Sequence, residues 1–199
     1  MEAALVFAVA AAALLGSPGP GIAALLAVGR ARGLFGGIGY LATMQIGLAI
    51  AAGLSAAGLV GILRALPWLR HLLTIVSALY LLWLAWQVAT APLGGEIGGA
   101  GEQARFPLWG AFTLGIANPK AYLAFASLFG SFVVVPPAGG IADAMAKWLL
   151  CVAVMAVVDF AWLLAGAWLG RITLAPKAER RMNVGMGLSI VAACALALT

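Results

Sequence analysis

Residues 16–21 have the sequence Gly-Ser-Pro-Gly-Pro-Gly and interrupt a charge-free apolar run that extends from Ala3 to Gly29. Proline removes a backbone donor and clashes with the preceding helical turn, and glycine adds backbone freedom, so no straight helix is expected here. In a membrane, the freed backbone groups must be buried in protein or line a wet cavity. The stretch therefore predicts a broken span beside a cavity near the midplane; the alternative is a kink that serves packing alone.

A second break with the same logic lies at Asn118-Pro119-Lys120, inside the apolar run from Phe106 to Val135. Lys120 lies ~21 Å of helix from either end of that run. A charge at that depth is costly and normally faces the protein interior or a substrate path. Lys120 could bind a substrate carboxylate or balance a nearby acid; the alternative is a lysine that the break brings within reach of an interface.

The composition indicates a membrane protein, because 65% of the 199 residues are hydrophobic and only 9% are charged. A span needs ~20 apolar residues to cross a ~30 Å hydrocarbon layer. Six apolar runs are candidates. They are Ala3–Gly29, Gly33–Leu63, His71 to about Pro92, Phe106–Val135, Trp148–Gly170 and Met182–Thr199. The sequence therefore predicts an all-α membrane protein with six transmembrane helices, of which the first and fourth are broken.

The basic residues lie at the ends of these runs and predict the orientation. In alternate connections, Arg30, Arg32, Arg105, Arg171, Lys177, Arg180 and Arg181 fall on one side, and Arg64, Arg70 and Lys147 fall on the other. The positive-inside rule then places the first, third and fifth connections in the cytoplasm. We expect a multi-pass protein of the cell inner membrane with both termini outside.

The polar, glycine-rich segment 92–105 divides the chain into two three-span halves, 1–91 and 106–199. Each half begins with a span that contains a proline-centred break. Since three is an odd number, two copies of a three-span unit must enter the membrane in opposite directions. The sequence therefore predicts two inverted three-helix repeats, joined by a flexible loop, whose breaks converge on one midplane cavity.

Asp159 is the only acidic residue inside a predicted span, near its middle. A buried carboxylate can take up and release a proton as its surroundings alternate between wet and dry, so we assign Asp159 to proton coupling. The alternative is a static ion pair with Lys120. Gln45 adds a polar side chain to the second span, for contact with a substrate or with a neighbouring helix. The residues assigned to substrate binding are Ser17, Pro18, Gly19, Pro20, Gln45, Asn118, Pro119 and Lys120.

These motifs resemble the lysine/threonine exporter (LysE/RhtB) family along nearly the whole chain. The matching stretches are Ser17-Pro18-Gly19-Pro20, Gly33-Leu34-Phe35-Gly36, Gln45-Ile46-Gly47, Ala78-Leu79-Tyr80-Leu81, Asn118-Pro119-Lys120 and Val157-Val158-Asp159. The resemblance implies a small six-span exporter of amino acids or related zwitterions, working in exchange for protons, that can form a homodimer. Ala78 and Ala85 depart from it, since many members have glycine there.

Other function classes fit the sequence less well. An intramembrane enzyme is not expected, because the spans offer no nucleophile with a histidine or second acid partner. A metal-ion exporter of a related fold is the closer alternative, yet such ions need several ligands and the spans offer Asp159 and two isolated cysteines. A structural or assembly protein is a further alternative. The basic residues form no patch for nucleic acid. We therefore expect an amino-acid substrate and lipid as partners, with no cofactor and no metal site.

Overall fold

The computed structural model describes residues 2–17, 19–58, 67–90, 106–136, 140–172 and 175–198. Pro18 and the predicted loop 92–105 lie outside these residues. All secondary structure within the described ranges is helical. The helices are α1 (Glu2–Gly16), α2 (Pro20–Ala56), α3 (Pro67–Ala89), α4 (Leu108–Ile116), α5 (Pro119–Ser131), α6 (Ile141–Gly170) and α7 (Pro176–Leu198).

The long helix α2 folds back on itself at Gly33. That residue has φ 69° and ψ −178°, a conformation that glycine adopts without steric cost. Val28 lies against Gly37, and Met44 lies near Gly21, so the parts before and after Gly33 run antiparallel. We call residues 20–32 arm A and residues 34–56 arm B. The two arms correspond to parts of the first and second predicted spans.

The first connection is shorter than the gap between the runs Ala3–Gly29 and Gly33–Leu63, because the helix continues through Arg30 and Arg32 and the chain turns at Gly33 alone. Arg30 Nη2 lies 3.6 Å from Glu179 Oε1, and Arg32 Nη2 donates to the Phe106 carbonyl at 3.0 Å. These partners let charged residues remain helical at the end of the bundle. The Gly33 turn therefore shares one end of the bundle with the starts of α4 and α7.

The helices form six rods when α1 is grouped with arm A and α4 with α5. The relative directions of the rods follow from pairs of neighbouring residues. Between the first and fifth rods, Leu26 lies beside Gly166 and Arg30 beside Gly170. Between the second and fourth rods, Gly39 lies beside Leu108 and Gly47 beside Gly115, and between the third and sixth, Ala85 lies beside Gly187 and Ala89 beside Arg180. The first and fifth rods are therefore parallel, as are the second and fourth, and the third and sixth are antiparallel. This pattern is expected of a chain that passes back and forth through a bilayer.

Glycines bring two of these rod pairs into backbone contact. A Cβ atom at Gly29 or Gly166 would collide with the backbone of the opposite rod where arm A meets α6, and one at Gly47 or Gly115 would do so where arm B meets α4. Small residues permit this approach, and close packing is what associates helices where lipid removes the hydrophobic driving force between them. The rods that carry the two breaks are thus held tightly against α6 and arm B.

Several helix ends differ from the ends of the apolar runs. The second rod ends at Ala56 rather than at Leu63, α6 begins at Ile141 rather than at Trp148, and α7 begins at Pro176 rather than at Met182. Lys147, which the sequence placed in a loop as a topology signal, lies inside α6 and is buried. Its ammonium pairs with the buried Asp143 carboxylate at 2.6 Å. A charged residue that finds a partner can extend a helix beyond its apolar part, and hydropathy does not reveal this.

Two described helices meet the length and hydropathy expected of a membrane span. Pro20–Ala56 has a mean hydropathy of 1.5 and Ile141–Gly170 one of 2.3. Glu2–Gly16 and the part of α3 from Ala78 to Ala89 are shorter apolar helices. Many large apolar side chains on these helices face outward, including Leu5, Phe35 and Trp86. An apolar outer surface is typical of a protein in contact with lipid.

Candidate functional site

The two breaks meet at a cavity of about 40 Å³ between the rods. Its lining comes from both halves of the chain: Leu14, Leu15, Ser17, Gly19, Pro20, Gly21, Ile22, Met44, Leu48, Leu114, Asn118, Lys120, Ala121, Ala124, Met155 and Asp159. A water molecule needs ~10–15 Å³ on this measure. The cavity therefore has room for a few waters in this conformation, and a complete amino acid would need the surrounding helices to move apart.

The first break, between α1 and arm A, leaves carbonyl groups that no helical turn satisfies. The Gly16 carbonyl accepts a hydrogen bond from Trp162 Nε1 at 3.3 Å, and the Ser17 carbonyl accepts one from Lys120 Nζ. Both donors belong to the second half of the chain. Because a helix carries roughly half a negative charge at its C-terminus, the Lys120 ammonium is also favourably placed at the end of α1.

Gly19 makes room for the Lys120 side chain beside the first break. Its backbone is extended, with φ −171° and ψ −177°, so other residues could adopt it. A Cβ atom there would lie 2.9 Å from both Cδ and Nζ of Lys120. Since contacts below ~3 Å force something to move, any side chain at position 19 would push the lysine out of its place.

The second break, between α4 and α5, satisfies its own backbone. The Asn118 side-chain oxygen accepts from the Lys120 backbone N–H at 3.1 Å, which is an N-cap of α5. Pro119 follows at the first helical position, where a missing N–H has no cost. The Ala117 N–H donates to the Thr113 carbonyl at 2.8 Å and closes the last turn of α4. Asn118 is buried.

Asp159 lies on α6 and lines the same cavity with only 6% of its surface exposed. Its Oδ2 accepts a hydrogen bond from Gln45 Nε2 at 2.7 Å. Its charge is close enough to Lys120 for the two to interact. Gln45, which the sequence assigned to the substrate, is absent from the lining and lies behind the carboxylate instead. Its Oε1 is buried without a hydrogen-bond partner among the described residues.

The structure thus brings Ser17, Gly19 and Pro20 of the first break together with Asn118 and Lys120 of the second, as predicted, and adds Asp159. Pro119 starts α5 beside them. Sequence reasoning missed the indole that caps the first break. Trp162 follows Asp159 by three positions on α6, and Met155 precedes it by four, so all three share one helix face. This spacing could have indicated from the sequence that Trp162 lies on the same side of α6 as Asp159.

No other described residue in the lining carries a charge besides Lys120 and Asp159. One cation and one anion therefore face a pocket whose other described lining residues are apolar apart from Ser17 and Asn118. The described residues contain no group of three or more side chains suited to holding a metal ion. Cys151 is buried in α6, and the Cys194 side chain lies outside the described part of α7.

A family model described as LysE type translocator matches residues 12–199. The leucine efflux protein of Klebsiella pneumoniae is 32% identical over 134 residues, which cover 66% of this chain and 63% of that protein. The cysteine/O-acetylserine efflux protein of Salmonella typhimurium is 31% identical over 159 residues, or 75% of each chain. The protein with the same description from Escherichia coli K12 is 28% identical over 177 residues, covering 88% of this chain and 87% of that one. No solved structure matches the chain.

Proposed function

The chain belongs to the LysE type translocator family, and we propose that it exports amino acids with uncharged side chains from the cytoplasm in exchange for protons. Members of this family are transport proteins rather than enzymes. The observation that carries the proposal is the meeting of both helix breaks at one cavity that holds Lys120 and Asp159.

The cavity has the charges that a zwitterion requires. An amino acid carries an ammonium and a carboxylate. In the cavity, Asp159 supplies a negative charge opposite to that of the ammonium, and Lys120 a positive charge opposite to that of the carboxylate. Arm A begins at Pro20 with no side-chain cap, and the first residues of a helix offer unpaired N–H groups with a partial positive charge. Gly21 and Ile22 of this first turn line the cavity. The carboxylate of a substrate would be stabilised on this side.

The rest of the lining favours an uncharged side chain. Leu14, Leu48, Leu114 and Met155 supply apolar surface, and a third charge on the substrate would have no described counter-charge there, which is costly in a buried site. The described activities of the relatives agree with this class, since leucine, cysteine and O-acetylserine all have uncharged side chains. Methionine side chains such as Met155 adapt to ligands of different shape.

Proton coupling is assigned to Asp159. A carboxylate in a closed cavity is more stable when neutral, and one exposed to water is more stable when charged, so alternating access would load and unload a proton. The hydrogen bond from Gln45 fixes the orientation of this carboxylate. We therefore treat Gln45 as a positioning residue and no longer as a direct substrate contact.

An inverted repeat is supported by the pairing of the rods. If the first three rods match the last three, the contact of the first rod with the fifth corresponds to that of the fourth rod with the second. Both pairs are parallel, and both are joined through glycines, Gly29 with Gly166 and Gly47 with Gly115. Each half also contributes one broken rod to the cavity. This arrangement suits alternating access around a fixed central site.

The orientation rests on the basic end of the bundle. Arg30, Arg32 and Arg180 lie there together with Glu179, and the positive-inside rule places such an end in the cytoplasm. We propose that the protein lies in the inner membrane with both termini outside. An enzymatic reporter fused after Thr199 should then be inactive if it works only in the cytoplasm, and an active one would contradict this orientation.

Reconstituted flux tests the proposed activity. Vesicles that contain the purified protein are loaded with labelled leucine, cysteine or O-acetylserine, and efflux is measured with and without an acidic exterior. We expect the acidic exterior to accelerate efflux, because protons moving inward drive the substrate outward. Asp159→Asn should abolish this acceleration. Glu179→Gln, which neutralises an acid outside the cavity, is the matched control and should retain it.

The two parts of the proposal can fail separately. If folded protein releases none of the three solutes, the transport proposal is wrong. If efflux occurs but responds equally to pH in the Asp159→Asn variant and in the unsubstituted protein, the substrate class stands and Asp159 does not carry the proton.

A further inference from the structure

The Lys120 ammonium lies away from its own helix, in a position at the end of α1 that favours a cation. It bonds the Ser17 carbonyl, which lies 103 positions earlier in the chain, beside Asp159 in the same cavity. We propose that this position is the subsite for the α-ammonium group of the substrate, and that Lys120 is a tethered cation that fills it while the cavity is empty. The inference rests on the proposed function, since it assumes an amino-acid substrate.

The subsite needs a cationic hydrogen-bond donor whether or not a substrate is bound. In an unbroken helix the Ser17 carbonyl would accept from the N–H four positions later, but the break prevents this. A buried carbonyl without a partner costs free energy. The neighbouring Gly16 carbonyl is satisfied by Trp162. The Ser17 carbonyl is left to a donor that enters from the cavity, and the negative end of α1 together with Asp159 selects a charged one.

Lys120 is poorly placed as a permanent part of α5. It lies in the first turn of that helix, where the helix dipole disfavours a positive charge. Its flexible stem crosses Gly19 to reach the end of α1. A primary ammonium at the end of an alkyl chain is the same donor group as the ammonium of an amino acid. A substrate can therefore replace it atom for atom at the Ser17 carbonyl.

Displacement would also place Lys120 where the substrate needs it. Once released, the lysine ammonium stays within the reach of its stem and can pair with the incoming carboxylate. The substrate ammonium then faces Asp159 and the Ser17 carbonyl, and its carboxylate faces Lys120. The net charge of the cavity is unchanged by a zwitterion, so the exchange of partners leaves no charge uncompensated. The ammonium group is thus the part of the substrate that opens the site.

Binding to the purified protein in lipid nanodiscs tests this subsite with simple probes. The probes are leucine, isopentylamine, which keeps the ammonium and side chain, and 4-methylpentanoate, which keeps the carboxylate. Lys120→Met removes the tethered cation at nearly constant length. If the lysine fills the subsite most of the time, its removal should tighten amine binding about tenfold, because a ligand regains the affinity lost to the occupied state. Leucine should bind more weakly through loss of its carboxylate partner.

A quaternary control separates subsite occupancy from simple charge. Removing a positive charge favours any cation, but only an N–H donor can bond the Ser17 carbonyl. We therefore expect the trimethylated form of isopentylamine to gain much less affinity than isopentylamine itself. Gly19→Ala places a Cβ atom 2.9 Å from the position that the ammonium occupies, so it should crowd the lysine and the amine alike and should not tighten amine binding. An equal gain for both amines in Lys120→Met, or no gain for isopentylamine in that variant, would overturn the proposal.

These outcomes are independent of transport. Efflux of leucine from vesicles with unchanged amine affinity in Lys120→Met would leave the proposed function intact and reject the tethered cation. Tightened amine binding in a protein that transports none of the three solutes would support the subsite and reject the proposed function.

Discussion

The two helix breaks look alike in sequence and differ in how they are stabilised. The break between α4 and α5 is closed locally, since Asn118 caps α5 with its own side chain and Ala117 completes the last turn of α4. The break between α1 and arm A depends on Trp162 and Lys120 from the other half of the chain. The first break can therefore change its partners when a ligand enters, whereas the second can remain as it is.

The far end of α5 is fixed as well. The Asp143 carboxylate accepts from the Val134 and Val135 N–H groups at 2.7 and 3.0 Å, and Lys147 donates to the Phe129 carbonyl at 3.1 Å while it pairs with Asp143. This buried network ties the end of α5 to α6. Lys120 and Asp159 are thus carried by two helices that are clamped together, and the Ser17 carbonyl at the end of α1 is the group that can change its partner.

The largest effect should come from breaking this clamp. Asp143→Ala leaves the Lys147 charge buried and unpaired, and removing one partner of such a pair typically costs ~3–5 kcal/mol. The melting temperature in detergent should fall steeply. The double variant Asp143→Ala, Lys147→Met removes both charges and should recover part of the loss. A single variant as stable as the unsubstituted protein would show that the clamp does not hold α5.

A smaller effect is expected at the second break. Asn118→Ala removes the N-cap of α5 and should destabilise the protein by ~1 kcal/mol. Asn118→Ser keeps an uncharged accepting oxygen that can cap the helix and serves as the matched control. Because this break is closed locally, leucine affinity in correctly folded Asn118→Ala protein should change little. A loss of affinity much larger than the loss of stability would contradict the contrast between the two breaks.

The smallest effect on stability should come from the first break. Trp162→Phe keeps an aromatic ring but removes the indole N–H and its hydrogen bond to the Gly16 carbonyl, a loss of ~1 kcal/mol or less for so long a bond. The variant should instead change the affinity for leucine, because a less constrained end of α1 alters the position of the neighbouring Ser17 carbonyl. Trp148→Phe is the control, because it removes a 2.9 Å hydrogen bond to the Ala49 carbonyl away from the cavity. Comparing the two variants separates an effect at the first break from the general effect of losing an indole N–H. Equal leucine affinities in both variants would argue against a ligand-responsive first break.

Much of this arrangement could be predicted from the sequence. Proline positions located both breaks and predicted that they converge on one cavity, where Lys120 and Asp159 also lie. Loop lengths and helix ends were less accessible, because Gly33 turns the chain alone and the Asp143–Lys147 pair lets α6 start early. The first depends on one backbone angle, and the second on an ion pair within α6 that hydropathy does not take into account. The role of Gln45 behind Asp159 could not be read either, since hydropathy does not tell which side of a helix faces the cavity.

Hydrogen–deuterium exchange with and without substrate tests the central claim most directly. The claim is that an amino acid binds where the two breaks meet and that the first break responds to it. We predict that saturating leucine changes the amide exchange of residues 16–23 while that of residues 118–124 stays nearly constant. 4-Methylpentanoate, which lacks the ammonium group, should leave the amide exchange of both segments unchanged. Equal changes at both breaks, or a response to leucine confined to residues outside the cavity, would contradict the account.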